Sequence, residues 1–175
     1  MSNAKKYVVT SITLGLIAAA SAGLISVTNL ITREKIAQNE KERINAGIVR
    51  IFGENAEISS ERDVTGFQYL EHFYKIKGEQ NGYAFRATGS NSYGKVSLII
   101  GFKQTTVNEF SSFAFAGMYV VTNEQTYATT LVDNYINPVN NGEITYDSND
   151  SVKCGATYGA KLIREMINEA TVATI

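Results

Sequence analysis

The chain has 175 residues, 44% of them hydrophobic, and sixteen Lys+Arg stand against seventeen Asp+Glu for a formal charge of −1. That length suits one domain with an appendage, since single cores commonly run about 100–200 residues, and the near-neutral charge argues against a nucleic-acid binder, which needs a basic surface. A single cysteine, Cys154, excludes an internal disulfide and a cysteine-based zinc or iron–sulfur site, and a single histidine, His72, argues against a histidine-ligated metal centre.

Tyr7 to Thr32 is a run of 26 residues without a formal charge, flanked by Lys5 and Lys6 before it and Arg33, Glu34 and Lys35 after it. As a helix rising about 1.5 Å per residue it extends about 39 Å, enough for a hydrocarbon core of about 30 Å. A single-span anchor, a signal peptide cleaved after Ala20-Ser21-Ala22 and a buried core helix are the three readings. The length of the run favours the anchor, in contact with a lipid bilayer. The uncompensated lysines before it place the amino terminus in the cytoplasm and the remainder outside. Beyond Thr32, 14 basic and 17 acidic side chains remain, so the part outside is acidic.

Glu34 to Phe52 continues as a helix, with Ile36, Ile44, Ile48 and Ile51 at near-helical spacing and Gly53 at its end. Phe67 to Lys77 is rich in aromatics and reads as a strand. Glu79-Gln80-Asn81-Gly82 supplies turn chemistry, and Tyr83 to Thr88 reads as the returning strand of a hairpin. After a polar turn, Gly89 to Gly94, strands are predicted at Val96 to Phe102 and Phe113 to Thr122. Thr157 to Ala170 is a helix with Leu162, Ile163, Met166, Ile167 and Ala170 on one face. The fold expected is α+β: an antiparallel sheet with flanking helices, after a single transmembrane helix. The divisions expected are an anchor over 1–32, a juxtamembrane helix and linker over 33–60, and a folded domain over 61–175. The tyrosines could stack a planar ligand, although sheet packing accounts for most of them, and His72 reads as a structural strand residue.

The stretch before the last helix, from Asp147 to Gly159, is a polar turn that delivers the Thr157 hydroxyl to a helix amino end. Free N–H groups and the helix dipole there favour an anion, phosphate especially. Gly155 and Ala156 are small enough to let a bulky group approach, and Lys161 and Arg164 lie one and two turns on. A plain helix cap by Thr157 or Ser151 is the competing reading.

Gly155-Ala156-Thr157 resembles the end of the Asp-x-x-Ser/Thr-Gly-Ala-Thr motif of the FMN-binding domains in Rnf G subunits and NqrC subunits. Thr28-Asn-Leu-Ile-Thr32-Arg-Glu-Lys-Ile36-Ala37, Gly82-Tyr83-Ala84-Phe85 and Tyr93-Gly94 through Gly101-Phe102 are similar to further segments of that family. Glu124-Gln125-Thr126 falls where the family carries Glu-Thr-Pro-Gly. The family's motif Asp is Ser151 here, beside Asp150, and its Ser/Thr is Cys154. The resemblance implies FMN held covalently by a phosphoester to Thr157, attached by an ApbE-type flavin transferase, with Cys154, Gly155, Ala156, Lys161, Glu124, Thr126 and Tyr127 as neighbours. It implies an electron-transfer subunit, the G subunit of an Rnf-like ion-translocating complex, with other membrane subunits as partners. A stand-alone extracellular flavinylated shuttle and a scaffold of the same fold without flavin are the alternatives. None of these residues is expected to act as a general acid or base.

Overall fold

The computed structural model describes residues 3–107, 110–148 and 153–174. The chain divides into two compact units, Met1–Lys41 and Glu42–Ile175.

In the first unit the chain is helical, as part of α1 (Asn3–Phe52). Its large apolar side chains, Leu14, Leu16, Leu24 and Ile25 among them, are exposed. By length and composition this is a helix able to cross a membrane, with a window of mean hydropathy 2.0. Four of its hydroxyls do not need water. Thr10, Thr13, Ser26 and Thr28 each donate to the carbonyl four residues back, at 2.9 Å, which suits a helix in lipid, where unsatisfied polar groups are expensive.

In the second unit the last residues of α1 carry Ile44, Ile48, Ile51 and Phe52 on one buried stripe. Gly53, at φ +109°, ends the helix, and its N–H donates to the Val49 carbonyl at 2.9 Å. Five strands follow as an antiparallel meander in the order β1-β2-β3-β4-β5. They are β1 (Glu57–Asp63), β2 (Leu70–Lys77), β3 (Gly82–Asn91), β4 (Gly94–Val107) and β5 (Phe110–Asn123). Alternate residues serve two faces. Tyr74, Ile76, Ala84, Ile99 and Val121 pack on the stripe of α1. Phe85, Ala87, Leu98, Ile100 and Phe102 pack under the later helices, including Leu162, Ile163, Met166 and Ile167 of α4 (Thr157–Ala173). Burial on both faces explains why β4 reads as an almost continuous apolar run rather than an alternating one. The α+β expectation holds.

Three details depart from the sequence reading. β1 carries no strand signal, because Glu57, Glu61, Arg62 and Asp63 give it the charged character that blunts a sheet edge. β2 starts at Leu70, not Phe67. The N–H groups of Gln68 and Tyr69 donate to the Glu169 carboxylate of α4, with Tyr69 at 2.8 Å, instead of to a strand. Between the sheet and α4, an unexpected helical stretch runs through α2 (Ala128–Leu131), a π-helical turn (Val132–Ile136) and α3 (Asn137–Asn140). It buries Leu131, Tyr135, Ile136 and Val139. The wide turn lies immediately before Pro138, whose missing N–H and bulky ring oppose a regular α turn.

Tyr135 is fully buried and donates its hydroxyl to the Tyr146 carbonyl at 2.8 Å. Burial pushes its phenol far above the ordinary range, with Arg164 acting in the opposite direction. Burial and the neighbouring Glu165 carboxylate also raise Tyr69. A raised folded-state value leaves stability intact below about pH 10, where the phenol is neutral folded or unfolded, and removes it as pH climbs further. Tyr135→Phe is therefore expected to lose about 1 kcal/mol at neutral pH through the missing hydrogen bond. Its stability should then fall less steeply than that of the parent above about pH 10. Urea titrations on either side of that pH measure both effects.

Candidate cofactor-binding site

Three segments of the second unit meet at one pocket: the turn between β3 and β4, the loop after β5, and the first turn of α4. The β3–β4 turn needs Gly94. Its φ is +132°, and a Cβ there would stand 2.2 Å from the Glu124 carbonyl oxygen. The loop lies directly against this turn. Thr126 donates through its N–H and its hydroxyl to the Tyr93 carbonyl, at 2.8 and 3.1 Å. The Glu124 N–H reaches the Lys95 carbonyl at 2.8 Å.

Two amides join all three segments. Asn91 Oδ1 accepts the Tyr93 N–H at 2.8 Å, and its Nδ2 donates to the Tyr158 carbonyl at 3.1 Å. Gln125, 7% exposed, donates from Nε2 to Asn91 Oδ1 at 3.1 Å and to the Gly94 carbonyl. Asn91 thus holds the backbones of two tyrosines whose rings stack at 5.2 Å and 26°, while Tyr127 leans on Tyr93 at 6.1 Å. The three rings are partly open to solvent.

The approach to α4 turns at Gly155, φ +82°, where a Cβ would sit 3.3 Å from Thr130. Cys154 is buried. Its Sγ accepts the Ala156 N–H at 3.4 Å, and its carbonyl accepts from Asn134 Nδ2 at 2.9 Å. A serine or threonine hydroxyl could serve this small acceptor role, so cysteine keeps the turn. Ala156 is the N-cap and supplies no side-chain hydrogen bond to the helix. Thr157 opens the helix as an exposed residue, and N–H groups in such a first turn carry partial positive charge.

The pocket holds about 230 Å³ and is lined by Tyr93, Gln125, Tyr127, Leu131, Gly155, Ala156, Thr157, Tyr158 and Gly159. That is smaller than the roughly 300–1,000 Å³ of sites that engulf a small molecule. A pocket of this size has room for one end and one face of a larger ligand. Gly159 helps leave the space open, since a Cβ on it would meet Leu131 at 2.8 Å. Small residues beside a hydroxyl, a helix amino end and a wall of tyrosines fit a phosphate-terminated planar ligand.

Of the residues named from the sequence, Gly155, Ala156, Thr157 and Tyr127 line this pocket, and Cys154 lies buried behind it. Glu124 and Thr126 are exposed on the adjoining loop and do not line it. Lys161 is also exposed, with its ammonium 4.0 Å from Glu165 Oε1. Asp150 and Ser151 lie outside the described residues. Tyr93, Tyr158 and Gln125 are pocket residues that the sequence reading did not single out. Among the described residues, no group of three or more His, Cys, Asp or Glu side chains could hold a metal ion.

Residues 1–46 match the family model of the RnfG N-terminal region. No curated protein and no solved structure matches the chain. The RnfG match covers the apolar helix and the residues just after it. The likeness to Rnf G subunits is thus one of the amino-terminal region, and it stops short of the sheet and of Thr157.

Proposed function

We propose that this chain is a membrane-anchored electron-transfer subunit of RnfG type, carrying FMN as a phosphoester on Thr157. The observation that carries the reading is the position of Thr157, exposed on the first turn of a 17-residue helix at a pocket walled by Tyr93, Tyr127 and Tyr158. In the attachment step Thr157 Oγ1 forms the new P–O bond and gives up its proton. In the flavin donor of an ApbE-type transferase the P–O bond from that phosphorus to the leaving group breaks, and the leaving group departs with the bonding pair and takes up a proton.

When bound, the flavin supplies the one- and two-electron chemistry that these side chains lack. The chain's own contribution is positional. The start of α4 holds the phosphate end where partial positive charge is fixed. Tyr93 and Tyr158 offer aromatic surface to one side of a planar group, and the shallow pocket leaves another edge reachable by a redox partner. The apolar helix keeps the domain at the bilayer, with the amino terminus cytoplasmic and the domain outside. Its partners on this reading are the other membrane subunits of an Rnf- or Nqr-like complex, which carry electrons between ferredoxin and NAD and move Na⁺ or H⁺. The replaced motif position Ser151 favours a second reading: a scaffold subunit of the same fold without flavin.

Co-expression with a flavin transferase, followed by denaturing gel electrophoresis under ultraviolet light, separates the two. A fluorescent band at the mass of this chain is the expected result, and a dark band supports the scaffold.

A further inference from the structure

Gln125 is a glutamine buried to more than nine-tenths that still keeps a polar atom to offer. The orientation of its amide is dictated by its neighbours. Asn91 Oδ1 already accepts the Tyr93 N–H, and the Gly94 carbonyl can only accept, so the group facing both must be Nε2. The carbonyl oxygen then turns the other way. Oε1 stands 3.4 Å from where a Gly159 Cβ would be, on the wall of the pocket. The hydrogen bonds of this amide to Asn91 and Gly94 both run through Nε2 and use no lone pair of Oε1.

We infer that Gln125 Oε1 accepts a hydrogen bond from a hydroxyl on the sugar-alcohol chain of the bound flavin, so that the pocket selects ribityl-bearing flavins over the bare ring. This rests on the flavin reading of the same pocket. Two observations join in it: a helix amino end suited to phosphate, and a buried amide with a spare acceptor on the same first turn. Gly159 is two residues beyond Thr157, within about 3 Å along the helix axis. An acceptor so close to the attachment point meets the part of the ligand next to the phosphate, and in FMN that part is a chain of hydroxyls. A carbonyl oxygen has nothing to offer the phosphate oxygens themselves, which are acceptors too. The phosphate belongs to the N–H groups of the helix and the adjoining hydroxyl to Gln125.

The test uses the full chain in detergent, made in a host without a flavin transferase, and follows quenching of flavin fluorescence. Riboflavin has the ribityl hydroxyls, whereas lumiflavin has the same ring and a methyl group in their place. The parent protein should bind riboflavin about fivefold more tightly, the equivalent of one neutral hydrogen bond. Gln125→Met should bring the two affinities together. Tyr158→Leu removes one ring of the tyrosine wall but neither hydrogen bond that orients Gln125, and should weaken both flavins alike while keeping the preference. If Gln125→Met does not fold, the parent's ratio decides. An equal affinity for the two flavins, no binding of either, or a preference that survives in Gln125→Met overturns the inference. Covalent labelling of Thr157 alongside any of these results would leave the function standing and remove only the role of Gln125.

Discussion

Thr157→Val is expected to abolish covalent flavin attachment completely and to leave the fold untouched. The substitution exchanges a hydroxyl for a methyl of nearly the same shape, so it removes the oxygen to which the proposed phosphoester would be made. Thr157 is exposed and lies outside both cores. Surface replacements of this kind usually stay within about 0.5 kcal/mol, and valine has a helix propensity close to that of threonine. Thr157 does interact within the fold, so thermal melts of the two proteins should lie within a few degrees of each other while fluorescence in a denaturing gel vanishes. Thr157→Ser, which keeps a hydroxyl at the same backbone position, should retain labelling. Loss of labelling in the valine variant together with a collapsed melt would mean that Thr157 supports the fold instead.

The second large effect concerns Gly94. Gly94→Val places a side chain in a left-handed backbone conformation at φ +132° and drives its Cβ to 2.2 Å from the Glu124 carbonyl oxygen. Strain of this kind is worth about 1–3 kcal/mol, and overpacking adds a comparable amount. A loss of about 3 kcal/mol, roughly 10 °C in melting temperature for a domain of this size, is expected. The site should suffer beyond the stability loss, because the displaced Glu124–Tyr127 loop carries Gln125 and one of the three tyrosines. Gly142→Ala separates the two causes. Its φ is +73°, with nothing within 4 Å of the added Cβ, so strain acts there without a clash. It should lose only about 1 kcal/mol and leave flavin labelling as it was.

Much of this architecture is visible in the chain's patterning. The uncharged run before Arg33, the aromatic and β-branched strands and the amphipathic last helix each fix their own element by periodicity. The edge strand β1 escapes because edge protection calls for charged residues and suppresses the apolar alternation that marks a strand. The helical stretch around Leu131 and Tyr135 escapes because Pro138 and several Asn and Thr residues look like loop composition. Its helicity comes from burying four apolar side chains under the sheet. For the site, small residues before Thr157 carry a local signal, which sequence order alone can express. The tyrosine wall and the Asn91–Gln125 pair carry none. Tyr93, Gln125 and Tyr158 are far apart in sequence, and only the β3–β4 turn and the loop after β5 bring them together. Lys161, one helical turn from Thr157, has its ammonium 4.0 Å from Glu165 Oε1 and is not among the residues that line the pocket.

The most direct test of the central claim is mass spectrometry of the full chain after co-expression with an ApbE-type transferase, with fragmentation to locate the modified residue. A mass raised by one FMN less one water, with the added mass confined to Thr157, is the result this account predicts. An unmodified chain, or a flavin carried on any other residue, would contradict it.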